Sequence, residues 1–136
     1  DRTPALESQI SDAVGITADA ANFYFTRASG EVWQRQLSPA GCAGASAAEK
    51  RIASGFDGIG DVITYDGTVA WTATGDVANA YAGGGIFTTL VGGIDIVQIG
   101  PSTNGPSDIE QSDTHVVYAT TQGTIHKLPK DPVGDI

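Results

Sequence analysis

Short apolar runs follow one another along the whole chain, each closed by Gly, Asp or Asn. That rhythm predicts many short strands joined by tight turns, an all-β protein. The strongest runs are apolar at consecutive positions, as in Phe23-Tyr24-Phe25 and Val116-Val117-Tyr118. A strand apolar on both faces predicts a sheet sandwiched between neighbours, with no wet side. Helical periodicity is weak, and Ala43–Glu49 is the only alanine-rich stretch fit for a helical turn.

The runs repeat. DAANFYFT from Asp19, DGTVAWTA from Asp66 and DTHVVYAT from Asp113 recur at an interval of about 47 residues, with an aromatic at the same offset each time: Tyr24, Trp71 and Tyr118. Upstream of each lies an inner-strand segment (VGITA from Val14, DVITY from Asp61, DIEQS from Asp108). Downstream lies a glycine-led strand (GEVWQRQL, GGIFTTLV, GTIHKLP) that aligns Val32, Ile86 and Ile125, and beside them Trp33, Phe87 and His126. A fourth strand follows at Glu49 and at Ile94. Four short antiparallel strands per repeat at this period predict β-propeller blades. The expected organisation is an outer strand over 1–10, blades over 11–57 and 58–104, and three strands of a last blade over 105–136.

Three blades do not close a ring, since propellers hold about four to eight. Two arrangements meet this. Two copies form a six-bladed ring, the N-terminal strand of each completing the last blade of the other, or a companion propeller chain or a longer parent chain supplies the rest. The sequence begins at Asp1 and has no methionine, which is expected of a processed mature chain or a fragment.

The phrases DGTVAW, DTHVVYATTQGTIHKLPKD and NFYFTRASGEVWQRQL resemble the repeats of NHL-like and related secreted bacterial propellers of six to seven blades. The resemblance implies the propeller fold and a secreted or periplasmic location. It implies no single activity, because such propellers include ligand binders, scaffolds and a few enzymes. TYDGTVAW sets Asp66 beside Gly67 and reads as a hairpin turn, without the intervening residue of a sialidase Asp-box.

Charge narrows the partners. Seven basic residues face sixteen acidic ones, a formal net charge of −9, so nucleic acid and anionic lipid surfaces are disfavoured. No apolar run is long enough to insert as a membrane helix. The single cysteine, Cys42, sits in a small-residue loop with no base and orienting group around it, which reads as a free thiol or an interchain link.

The candidate chemistry is sparse. Asp19, Asp66 and Asp113 read as turn caps, and Tyr24, Trp71 and Tyr118 as packing between blades. Trp33, Phe87 and His126 share one repeat position whose chemistry changes, which fits packing or an asymmetric ligand pocket. Tyr81, with Asp76 and Asn79 in the long loop GDVANAYAGG, is a further ligand candidate. Asp61 and Asp108 are equivalent by repeat, and Asp12 falls level with Ile59. Carboxylates there would ring a channel mouth and suit a hard cation such as calcium, against the plainer reading of surface charge. Two histidines and one cysteine assemble no catalytic triad or cluster, so no catalytic residue is assigned and no cofactor other than calcium is implied. The expectation is a non-catalytic module binding a small ligand, a glycan or a protein. The rival is a metal-assisted lyase or hydrolase using channel-mouth carboxylates and His126.

Overall fold

In the computed structural model the described residues are 10–37, 49–91, 95–102 and 104–130. The outer strand expected before residue 10, the alanine-rich stretch 43–48, the loop 38–48 with Cys42, and the tail 131–136 lie outside them. The described residues form three antiparallel meanders in chain order. Sheet one is β1 (Ala13–Ala18), β2 (Asn22–Arg27), β3 (Glu31–Gln36) and β4 (Glu49–Ala53). Sheet two is β5 (Ile59–Tyr65), β6 (Thr68–Ala73), β7 (Gly85–Leu90) and β8 (Val97–Gly100). Sheet three is β9 (Pro106–Gln111), β10 (His115–Thr120) and β11 (Ile125–Pro129).

The first hairpin of each sheet is closed by local turn chemistry. Asp19 Oδ1 accepts the N–H groups of Ala21 (2.9 Å) and Asn22 (2.8 Å). In sheet three Ser112 Oγ plays the same part, accepting the His115 N–H at 3.1 Å. In sheet two Asp66 and Gly67, at φ 47° and 73°, make the two-residue turn that needs left-handed backbone.

Registers identify the equivalent positions. A row of three side chains crosses each sheet: Ile16–Phe25–Trp33, Val62–Trp71–Phe87 and Ile109–Tyr118–His126. Trp33, Phe87 and His126 are therefore true equivalents. Tyr24 is not equivalent to Trp71 and Tyr118. The first structural interval is one residue shorter than the spacing of the aspartates, and in a strand a one-residue step reverses the face. Tyr24 consequently points at sheet two, and Phe25 holds the place the repeat assigned to it. The same step moves Asp12. Backbone bonds Ala28 N–H to Asp12 O, Thr74 N–H to Gly58 O and Thr121 N–H to Gly105 O set it level with Gly58, one residue from Ile59.

The core lies between the sheets. Tyr24 and Val32 of sheet one pack with Val62, Trp71 and Phe87 of sheet two. Ile63, Ala70 and Ile86 of sheet two pack with Ile109, Val116 and Tyr118 of sheet three. Trp71 is fully buried, with Phe56 edge-on at 5.5 Å and Phe87 stacked at 6.2 Å.

A polar clip joins each pair of sheets. Thr26 Oγ1 accepts the Gly15 N–H (2.9 Å) and donates to the Gly60 carbonyl of the next inner strand (2.5 Å). Thr72 Oγ1 accepts the Asp61 N–H (3.1 Å) and donates to the Ser107 carbonyl (2.9 Å). The equivalent residue of sheet three, opposite Ile125 as Thr26 is opposite Val32 and Thr72 opposite Ile86, is Ala119.

Candidate functional site

Among the described residues, no sheet covers the face of sheet one turned away from sheet two. On it a cleft of about 360 Å³ is lined by Phe25, Arg27, Trp33, Arg35 and Glu49, with Ile10 and Ser11 at its margin. Strand alternation places these side chains together. Phe25 pairs with Trp33 across β2 and β3, and Trp33 and Arg35 pair with Arg51 and Glu49 of β4. Val14 and Ile16 on β1 are exposed, at 53% and 68%.

On this face a partly exposed Trp33 sits in a lattice of ion pairs, with Phe25 buried beside it. Arg27 Nε donates to Asp12 Oδ1 at 2.6 Å, Arg35 pairs with Glu49, and Arg51 lies 3.5 Å from Glu31. The Trp33 indole N–H donates to Glu31 Oε1 at 3.2 Å, which fixes the ring. That bond is the main reason the Glu31 carboxyl is held below its ordinary range, and the Arg27 hydrogen bond does the same for Asp12. The arrangement can stack flat groups and bind carboxylates or guanidinium groups through its ion pairs.

The other residues singled out by sequence are spread over the molecule. Phe87 is buried against Phe56 at 4.7 Å and belongs to the core. His126 stacks on Tyr118 at 5.3 Å, with Nε2 3.0 Å from Thr124 Oγ1. Tyr81 sits at φ 63° in the β6–β7 loop, where its hydroxyl accepts from Gln122 Nε2 at 2.6 Å and so holds that loop against the β10–β11 turn. Trp33, Phe87, His126 and Tyr81 do not share a pocket. Asp12 is engaged by Arg27. Asp61 lies within β5, where its carboxylate accepts the Val62 N–H (2.9 Å) and the Ile109 N–H of sheet three (3.5 Å), and Asp108 is exposed on β9. Among the described residues no three His, Cys, Asp or Glu side chains converge as metal ligands would.

No family model and no curated protein matches this chain. A solved structure titled "Crystal structure of the computationally designed Ika4 protein" is similar over 92% of this chain and 95% of its own, at 13% identity and a TM-score of 0.47. At that distance it carries no argument about function.

Sequence reasoning found Trp33 but missed Arg35, Glu49 and Glu31, because a charged residue on a strand carries no positional signal until its cross-strand neighbour is known. It also missed the threonine clips. Their signal was present as a Thr directly after an aromatic, Phe25-Thr26 and Trp71-Thr72, replaced by Tyr118-Ala119 in the last repeat.

Proposed function

We propose that this chain is a non-catalytic protein-binding module made of propeller blades, an open arc that joins a second copy to close a ring. The observation that carries this reading is the repeated joint. The step from sheet one to sheet two, made through Thr26 and Gly60, recurs from sheet two to sheet three through Thr72 and Ser107. A joint repeated in this way winds sheets about an axis and, among the described residues, leaves the outer faces of the first and last sheets without a neighbouring sheet. An uncovered β11 edge adds to this. β3 and β7, its equivalents, are each paired to a fourth strand, whereas β11 has none among the described residues. Exposed edges and apolar faces of this kind favour association. Light scattering on the purified chain tests the reading. The expected mass is twice the chain mass of 13.9 kDa, and a stable species at 13.9 kDa overturns it.

A further inference from the structure

We propose that the edge of β11 is a peptide-binding site. It takes, as an added antiparallel strand, an extended segment of a partner protein in which a long polar residue, an isoleucine and an alanine or glycine follow one another. This names the class of partner for the protein-binding reading and rests on that reading, but not on how the arc closes.

The edge is open. Val32, Ile86 and Ile125 are equivalent positions of β3, β7 and β11. The first two are 0% exposed and Ile125 is 75% exposed. Phe87 and His126 are equivalent as well, and each lies on the face of its sheet turned to the preceding sheet. Phe87 is nevertheless buried and His126 exposed. The preceding sheet is present in both cases. What His126 lacks, among the described residues, is the fourth strand that β8 supplies to β7. An unpaired edge offers a row of N–H and C=O groups, the template on which an extended peptide adds.

The two internal fourth strands define what fits the seat. Ala53 of β4 lies opposite Val32, and Gly100 of β8 lies opposite Ile86. Arg51 lies opposite Trp33, and Gln98 opposite Phe87. The extra residue between them, Ile52 or Ile99, makes a bulge and packs on the core shared with the following sheet. Space demands the small residue. A Cβ on Gly100 would come 2.6 Å from Ile86 Cγ1 and 3.0 Å from Leu128 Cδ1. Carried onto sheet three, the small residue falls opposite Ile125 and the long polar residue opposite His126. The isoleucine then lies beside Ile125 on the face turned away from sheet two. Fourth-strand pairing on β3 ends at Arg35, which corresponds to Leu128. Pro129, with no N–H to offer, therefore falls outside the seat.

The probe is a labelled peptide of residues 95–101, DIVQIGP, because β8 already makes this pairing on β7. Fluorescence anisotropy with the full chain should show saturable binding, and amide NMR shifts should concentrate on Ile125 to Leu128. A peptide carrying Gly100→Val should bind about tenfold more weakly through overpacking. A peptide with its backbone N–H groups methylated should not bind, since main-chain hydrogen bonds supply the affinity of an added strand. In the chain, Ile125→Asp alters an exposed side chain and spares the core, and it should weaken binding about tenfold by setting a carboxylate against the incoming isoleucine. No saturable binding, equal binding by any of these three variants, or shifts on β4 or β8 in place of β11 overturns the site and leaves the ring reading standing. A monomeric wild type that binds the peptide overturns the ring and keeps the site.

Discussion

Thr72 Oγ1 donates to the Ser107 carbonyl at 2.9 Å while accepting the Asp61 N–H at 3.1 Å, so one buried hydroxyl ties three strands of two sheets together. Thr72→Val keeps the shape and removes the hydroxyl. It leaves a carbonyl and an amide without partners, an expected loss of about 1–3 kcal/mol. Thr26→Val should behave alike through Gly60 and Gly15. Urea midpoints measure both. A loss within about 0.3 kcal/mol would mean that the clip contributes nothing net.

The clip requires close approach of two backbones, and Gly60 supplies it. A Cβ on Gly60 would sit 2.5 Å from the Ser107 carbonyl oxygen and 2.7 Å from Thr72 Oγ1. Backbone cannot retreat as a flexible side chain can, so Gly60→Ala is expected to cost about 1–3 kcal/mol by overpacking. Gly67 separates this effect from conformational strain. It has φ 73° and open space around its would-be Cβ, so Gly67→Ala should cost about 1–2 kcal/mol from the left-handed backbone alone. Sheet separation is sensitive only to the first. The NMR resonances of the Tyr118 ring, which packs between sheets two and three, should shift in Gly60→Ala and stay put in Gly67→Ala.

The meander order and most strand positions were legible because turn residues and apolar runs are local signals. Trp33, Phe87 and His126 were aligned correctly for that reason. What misled was coincidence in the turns. Asp19, Asp66 and Asp113 are evenly spaced, yet Asp19 does the work that Ser112 does, accepting backbone N–H groups two and three residues on. Either side chain can build that turn, so identity of residue type set the register one position out. The error placed Tyr24 on the wrong face. The candidate face was less legible than the fold. Its ion pairs Arg35–Glu49 and Arg51–Glu31 join residues distant in sequence, and only the β3–β4 pairing brings them together.

Trp71 fills the space between sheets one and two, fully buried, and its Nε1 has no hydrogen-bond partner among the described residues. Two opposed terms follow. Removing the ring forfeits packing against Phe56 and Phe87, so Trp71→Ala should cost about 3–5 kcal/mol. Trp71→Phe loses some volume but also releases an unpaired buried donor, so its cost should stay below about 2 kcal/mol. Thermal unfolding of the two variants checks the ordering. Equal losses would show that the indole N–H is satisfied in solution.

The Asp19–Tyr24 contact makes stability depend on pH at both extremes. Tyr24 Oη donates to Asp19 Oδ2 at 2.8 Å. Burial first, and the Asp19 carboxylate second, push the Tyr24 phenol up from 10.0 to about 12. Because the folded value lies above the unfolded one, the phenol's contribution is complete below pH 10 and is lost as pH rises toward 12. Asp19 runs the other way. The Ala21 N–H, then the Tyr24 hydroxyl and the Asn22 N–H, hold its carboxyl below the ordinary 3.8, so its contribution is present above that value and fades as acid is added. Tyr24→Phe should lower stability at neutral pH by about 1 kcal/mol. It should also flatten the alkaline limb and leave most of the acid limb, since the backbone donors to Asp19 remain. A Tyr24→Phe protein that keeps the full wild-type decline between pH 10 and about 12 would assign that decline to the buried Tyr118 and the half-buried Tyr65, whose phenols burial also raises.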